Sequence, residues 1–131
     1  MRVAIVGSRS VSKDAYDIVR RYIPKGASEI ISGGADGADQ IAETYAYNNH
    51  LPLRIYRPDY PAYRKNAPLR RNLQIVQYSD YVLVLWDGAS RGAANVIQLC
   101  FQEFTPVHVL LIREGKLVQT LFGQESGRLM D

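Results

Sequence analysis

The sequence has few of the residues that metal centres and disulfide-stabilised folds require. Its 131 residues include one cysteine and two histidines, so no internal disulfide can form and no metal-like spacing of ligands exists. The single cysteine, Cys100, lies among apolar residues, which predicts a buried helical thiol and fits a reducing cytoplasm. We therefore predict no metal site and no cofactor.

Long apolar runs and an excess of one charge are also missing. No run approaches membrane-spanning length, and the apolar start at residues 3–6 is too short for a signal peptide. The formal net charge of +3 is too small to indicate nucleic-acid binding from composition, yet it is compatible with a small anionic ligand. We expect a cytoplasmic protein without membrane contact.

The chain has a composition typical of globular proteins, with 47% hydrophobic and 22% charged residues. Its length predicts one domain over residues 1–131, with residues 119–131 as a loosely ordered tail. Continuous apolar segments predict buried parallel strands at residues 2–6, 29–32, 53–57, 81–86 and 107–112, followed by a short extra strand at 117–120. Amphipathic segments between them predict helices over residues 12–22, 36–49, 68–78 and 92–104. This alternation predicts a Rossmann-like, doubly wound α/β sheet that is mostly parallel.

Three glycine-bearing turns follow the first, second and fourth predicted strands, at residues 7–10, 32–37 and 87–92. One such turn is ordinary chain punctuation. Three of them at the carboxyl ends of parallel strands lie along one edge of the sheet, which predicts a shared pocket for a nucleotide-like ligand. The turns lack both the dinucleotide fingerprint and the Lys-Ser/Thr of a P-loop, so neither of those protein classes is supported.

The turns contain residues suited to different parts of such a ligand. Ser8 and Arg9 suit an anionic group, whereas Asp36 and Asp39 suit ribose hydroxyls or serve as acids at a helix start. Asp87 either orients a ribose or caps its own turn. The candidate ligand-binding residues of the turns are Gly7, Ser8, Arg9, Ser32, Gly33, Gly34, Asp36, Asp39, Trp86, Asp87, Gly88, Ser90, Arg91 and Gly92.

A long proline- and tyrosine-rich connection at residues 58–68 predicts a functional loop over the pocket. Its lid candidates are Tyr60, Tyr63 and Arg64. Tyrosine beside arginine suits either the base of a small nucleotide or single-stranded nucleic acid, and a solvated lid is the third interpretation. We rank the small ligand first and nucleic acid last, because one cationic stretch does not make a long strand-tracking groove.

The same residues resemble a known family. Residues 3–9, 31–39 and 86–92, together with Arg71-Asn72, are similar to the YspA-like branch of the SLOG superfamily, which is named for DprA-type (SMF) and Lonely Guy (LOG) proteins. The resemblance runs over about residues 2–112. It implies a Rossmann-like fold that binds nucleotides or nucleotide-derived molecules such as ADP-ribose-type ligands, with Arg71 and Asn72 in the pocket. It also implies ligand sensing or sequestration, an association with prophage or defence systems, and a homo-oligomer paired through helices flanking the pocket.

The resemblance implies less about catalysis than about binding. Hydrolytic LOG members use a glutamate after their glycine-rich segment, and here that position is Val96. Valine neither stabilises an oxocarbenium ion nor activates water. We therefore place a non-enzymatic binding module first. The alternatives are an N-glycosidase or phosphoribohydrolase in which Asp87, Asp36 or Asp39 supplies the carboxylate, and a single-stranded nucleic-acid binder.

Overall fold

A six-stranded sheet forms the centre of the computed structural model, which describes residues 1–34 and 36–123. The strands are β1 (Arg2–Gly7), β2 (Glu29–Ser32), β3 (Leu53–Ile55), β4 (Tyr81–Trp86), β5 (Val107–Arg113) and β6 (Lys116–Gly123). Their spatial order is β3-β2-β1-β4-β5-β6. The first five are parallel, and β6 is antiparallel to β5. The predicted Rossmann-like, mostly parallel sheet is confirmed, and its strand order reverses between β1 and β4.

Helices cover both faces of this sheet. They are α1 (Tyr16–Val19), α2 (Asp36–Asn48), α3 (Tyr60–Tyr63), α4 (Ala67–Tyr78) and α5 (Arg91–Gln102). Val19 of α1 and Ile41 of α2 pack into the core on one face. Ile75 of α4 and Val96 of α5 pack into the core on the other face. Cys100 of α5 is buried, and burial raises its thiol pKa to about 12.

The element bounds differ from the predicted ones where burial is incomplete. The predicted first helix is divided into a 3₁₀ turn capped by Ser12, the short α1, and a second 3₁₀ turn. Few of its side chains are fully buried, and burial supplies most of the stability of a helix. The helix α3 was not predicted; Asp59 caps it by accepting a hydrogen bond from the Ala62 N–H.

The last strand is longer than predicted. It pairs with β5 from Lys116 to Gly123, so residues 119–123 of the predicted loose tail belong to the sheet, and the remainder of that tail lies outside the described residues. Most residues of β6 are exposed, on both faces of the strand, so the strand lacks the continuous buried apolar run on which the strand prediction relied. Within residues 1–34 and 36–123, no helix has both the length and the apolar character needed to cross a bilayer.

The strand register places three strand ends side by side. Ile5 of β1 pairs with Ser32 of β2, and Gly7 of β1 pairs with Leu85 of β4. The glycine turns after these strands therefore leave the same edge of the sheet, at the point where the strand order reverses. Gly7 brings β1 and β4 together, because a Cβ there would lie 2.8 Å from the Leu85 carbonyl oxygen.

Candidate functional site

Two adjoining cavities open at the carboxyl edge of the sheet. The first has a volume of about 610 Å³ and lies between the amino-terminal halves of α4 and α5. The second has a volume of about 550 Å³ and lies beside the connection that follows β3. They share Arg9, Gly33, Pro68 and Arg71 in their lining. Ligands of α/β sheets bind in crevices of this kind.

The first cavity collects half of the fourteen residues predicted from the glycine turns, together with Arg71 and Asn72. Its apolar floor includes Val6, Ile75 and Val96. The predicted ligand-binding residues that line it are Gly7, Arg9, Gly33, Arg71, Asn72, Asp87, Ser90, Arg91 and Gly92. An apolar floor with a few polar groups is the usual composition of a small-molecule site.

The start of α5 supplies main-chain donors to this cavity. Ser90 caps the helix by accepting a hydrogen bond from the Ala93 N–H. The N–H groups of Arg91 and Gly92 lie in the first turn, where a helix has no internal acceptors for them. A Cβ at Gly92 would find only the Ser90 hydroxyl oxygen, at 3.9 Å. A ligand can therefore approach the backbone here, at the positive end of the helix dipole.

The second cavity is more strongly cationic. Of the eight lining residues that the structure describes, three are arginines, Arg9, Arg57 and Arg71, and none is a carboxylate. The predicted residue Gly34 lines it, with a φ of +80° that favours glycine. The lid candidate Tyr60 also lines it.

The other two lid candidates lie outside the lining of both cavities. Arg70 places its guanidinium 4.9 Å from the ring centroid of Tyr63. Arg64 follows Tyr63 with a φ of +52°, which is rare for a residue with a side chain. The connection is therefore a folded segment, and it brings one tyrosine to the cleft.

Arg71 lies in the wall between the cavities and is largely buried. Its Nη1 donates to the Gly33 carbonyl oxygen, and its Nε donates to Asn72 Oδ1 at 2.9 Å. Asn72 Nδ2 in turn donates to Asn95 Oδ1 at 3.0 Å, which joins α4 to α5. Burial lowers the pKa of Arg71, and Tyr60 nearby opposes that shift. Both hydrogen-bond acceptors of this guanidinium are neutral.

The charge of the cleft is unbalanced. Arg9, Arg57, Arg71 and Arg91 line the two cavities, and Asp87 is the one carboxylate among the described lining residues. Among the side chains that the structure describes, no carboxylate forms an ion pair with any of these four arginines. Clefts lined by one sign of charge raise the local concentration of oppositely charged ligands. The site therefore favours an anion.

Asp87 is held by its own turn. One carboxylate oxygen accepts the N–H groups of Ala89 and Ser90, both at 2.8 Å, and the other accepts the Ser10 hydroxyl at 2.7 Å. The Ser10 hydroxyl and these two amides lower the pKa of Asp87 to about 2. A carboxylate that binds protons this weakly is a poor general base near neutral pH. This arrangement favours the turn-capping interpretation of Asp87.

Acid titration measures how much this turn contributes to stability. The folded-state pKa of about 2 lies below the ordinary aspartate value of about 3.9, so the unfolded chain binds the proton first as pH falls. The stabilisation by Asp87 is complete above about pH 4 and is lost as pH falls toward 2. We expect wild type to lose about 1 kcal/mol more than Asp87→Asn over this range, since the carboxylate is partly exposed. Urea unfolding at several pH values measures this difference, and parallel pH profiles would contradict it.

Some predicted residues lie next to the cavities without lining them. Ser8 is 1% exposed, and its hydroxyl oxygen accepts the Asp87 N–H at 3.2 Å. Ser32 donates to Asp39 Oδ1 at 2.6 Å. Trp86 Nε1 donates to the Ser90 carbonyl oxygen at 3.0 Å. The hydrogen bonds of Ser8 and Trp86 support the turns that form the cleft.

Two further predicted residues do not line either cavity in the described structure. Gly88 has a φ of +87° and lies against Arg113. The side chain of Asp36 lies outside the described part of the chain.

Several lining residues were not selected in the sequence analysis. The polar ones are Ser10 and Asn95 in the first cavity and Arg57 in the second. The position of Arg57 at the carboxyl end of the third predicted strand was an available signal, since that strand ends at the same edge. Asn95 had a weaker signal, as a polar residue one helical turn after Arg91.

The strand order and the cleft at its reversal define a Rossmann-like α/β protein. Residues 1–63 match the model of the YspA, cpYpsA-related SLOG family, which confirms the resemblance to the YspA-like branch of the SLOG superfamily. No curated protein sequence matches the chain significantly.

A solved structure supports the fold over the rest of the chain. DNA processing protein A from Helicobacter pylori, described for its unique single-stranded DNA binding mode, is similar with a TM-score of 0.65 and 22% sequence identity. The similarity covers 99% of this chain and 72% of that one. At this identity the similarity concerns the fold alone.

Proposed function

We propose that this protein binds a nucleotide-derived small molecule, such as a nucleoside phosphate or an ADP-ribose-type ligand, in the two cavities at the carboxyl edge of its sheet. The observation that carries the proposal is the partly buried guanidinium of Arg71, whose hydrogen-bond acceptors among the described residues, the Gly33 carbonyl and Asn72 Oδ1, are both neutral. A desolvated charge without a counter-ion is unfavourable. A bound phosphate supplies the missing negative charge.

The first cavity supports a nucleoside phosphate for reasons of size and chemistry. Its volume of about 610 Å³ lies within the range of small-molecule sites. Its apolar floor suits a base, and the Asn72–Asn95 amide pair offers hydrogen-bonding groups for the base or sugar. The start of α5 and Arg91 suit a phosphate. Binding of this kind serves ligand sensing or sequestration.

Binding without cleavage is favoured by the carboxylates near the cleft. Asp87 is engaged by Ser10 and two main-chain amides, and Asp39 is engaged by Ser32 outside the cavity lining. Neither is a free general base beside a bound sugar. Incubation with nucleoside monophosphates, NAD and ADP-ribose tests this directly: the nucleotides remain intact if the protein only binds, and released base would establish an N-glycosidase.

Single-stranded nucleic acid is the second candidate. It is supported by two exposed tyrosines, Tyr60 and Tyr63, beside Arg64 and Arg70, since aromatic faces with arginine bind unpaired bases. The similar Helicobacter pylori protein is described as binding single-stranded DNA. Titration of a fluorescent oligonucleotide at increasing salt tests it. A steep fall in affinity supports it, and weak binding that does not change with salt excludes it.

Thermal-shift measurements with AMP, GMP, CMP, UMP and ADP-ribose test the proposed function. A ligand that binds only the folded state raises Tm. We expect Arg9→Ala to weaken nucleotide binding at least about tenfold, because it removes a charged donor from the lining of both cavities. Its Tm without ligand stays near that of wild type, because Arg9 is exposed.

The matched control is Arg21→Ala, which removes an exposed arginine from the second 3₁₀ turn, outside both linings. This variant retains the nucleotide-induced shift. Retention of the full shift by Arg9→Ala would move the anion site away from this cleft.

A further inference from the structure

We infer that the ligand spans both cavities and carries two separated negatively charged groups, as 5′-phosphorylated dinucleotides do. This inference rests on the proposed function and specifies its ligand class. A mononucleotide fills only the first cavity. The second cavity then selects for the additional anionic part.

The first step of the argument is continuity. The cavities meet at Arg9, Gly33, Pro68 and Arg71, which line both of them. A Cβ at Gly33 would lie 3.2 Å from both Arg71 Nη1 and the Ile75 side chain. The glycine therefore lets the Arg71 guanidinium lie against the turn, where it reaches both cavities. A ligand group at this junction contacts Arg71 from either side.

The second step is the number of donors that Arg71 still offers. A guanidinium has five N–H groups, and Arg71 uses one for the Gly33 carbonyl and one for Asn72. The two bonds fix the plane of the guanidinium. The remaining N–H groups suit a phosphate at the junction, since arginine binds phosphate oxygens through paired donors.

The third step is the chemistry of the second cavity. A neutral sugar is usually held by carboxylate or amide acceptors, and within residues 1–34 and 36–123 the eight that line this cavity include no Asp, Glu, Asn or Gln. They include Arg57, whose Nη1 would lie 3.3 Å from a Cβ at Gly34, and Tyr60. A cavity with three arginines and no acid favours an anionic group over a neutral one. The second cavity therefore contributes specificity for the second charge.

Isothermal titration calorimetry with AMP, GMP, ADP-ribose, pApA and pGpG tests this inference. We expect pApA or pGpG to bind about tenfold or more tightly than its mononucleotide, whereas ADP-ribose gains less because the group beyond its pyrophosphate is a neutral ribose. We expect Arg57→Ala to remove the dinucleotide gain while it leaves AMP and GMP affinities within about twofold, because a charged hydrogen bond contributes about ten- to hundredfold. An equal gain for ADP-ribose would show that the second cavity does not select for a separate anionic group and would overturn this inference.

The matched control is Lys65→Ala, which removes a positive charge from the same connection but outside both cavities. It leaves all small-ligand affinities unchanged. The two-cavity inference is wrong if neither pApA nor pGpG binds more tightly than its mononucleotide. It is also wrong if Arg57→Ala weakens the binding of mononucleotides and dinucleotides equally. In both cases the proposed function stands. If none of the five probes binds, the proposed function fails and the inference fails with it.

Discussion

Replacement of Arg71 by methionine is expected to weaken nucleotide binding at least about a hundredfold, the largest effect of any single change in the cleft. The substitution removes the charge shared by both cavities and the donors that face the ligand. Loss of a charged hydrogen bond costs about 1.5–3 kcal/mol, and the binding energy of a site concentrates in its desolvated groups. Calorimetry with the best nucleotide from the thermal-shift screen measures the loss.

The same substitution is expected to leave folding nearly unchanged. Methionine removes a desolvated cation that has no carboxylate partner among the described side chains. Removal of this cation lowers the desolvation cost of folding, which offsets the lost hydrogen bonds to Gly33 and Asn72. Apolar replacements of buried charges are often neutral or stabilising for this reason. We expect the free energy of unfolding to change by less than about 1 kcal/mol. Binding sites commonly sacrifice stability for affinity in this way.

Arg70→Met is the matched control for this prediction. Arg70 is the neighbouring residue of α4, but it is exposed and lies over the ring of Tyr63. We expect its loss to change nucleotide affinity by less than about twofold, since exposed charges contribute little. Equal losses in the two variants would mean that the cleft attracts ligands through its overall charge. A large loss of stability in Arg71→Met would mean that Arg71 is mainly structural.

Gly37→Ala is expected to destabilise the protein by about 3 kcal/mol or more. A Cβ on Gly37 would overlap the Val11 carbonyl oxygen, and no side-chain rotation relieves this overlap because the contact is with backbone. The Val11 N–H is itself bonded to the Ser8 carbonyl at 3.1 Å, so the turn after β1 cannot move freely. Either that turn or the start of α2 must shift.

The effect of Gly37→Ala opposes its helix propensity. Gly37 is the second residue of α2, and alanine in a helix is favoured over glycine by about 0.8–1.0 kcal/mol. Urea unfolding separates the two contributions: a stability at or above that of wild type would show that the turn yields. We also expect weaker nucleotide binding, because the displaced turn carries Arg9.

Gly26→Ala is the control for this second prediction. No heavy atom lies within 4 Å of a Cβ added at Gly26, and its φ is not in the left-handed region. Its free energy of unfolding is expected to stay within about 0.5 kcal/mol of wild type. Equal destabilisation by both substitutions would mean that the effect of Gly37→Ala does not come from the Val11 contact, since an effect on the unfolded chain alone would be stabilising.

The residues of the cleft were predicted where position along a strand decides position in space. Gly7, Gly33 and Gly92 follow or flank strand ends, and parallel strands bring their carboxyl ends to one edge. The prediction did not distinguish a residue that lines the cavity from one that supports it. Ser8 and Trp86 come from the same turns, and they hydrogen bond to the neighbouring backbone, because a turn presents alternate side chains to ligand and to protein.

The contacts between distant segments were not predictable in the same way. The hydrogen bonds from Arg71 to Gly33 and from Asn72 to Asn95 join residues 38 and 23 positions apart. They depend on how α4 crosses the sheet to lie beside α5. Helix packing of this kind is set by the shape of many side chains together, and no local pattern in the sequence encodes it.

The amino-acid sequence by itself determined the parallel sheet, the edge at which the turns meet and the positive charge carried by those turns. Each of these follows from local features: continuous apolar runs, glycine after strands, and arginine in the turns. Only the tertiary structure decided that the cleft has two joined cavities, that Arg71 lies between them without a carboxylate, and that Asp87 holds a turn. Those properties depend on contacts between residues that are distant in the sequence. The free energy of each contact depends on burial and on interatomic distance, and both are defined only once the chain has folded.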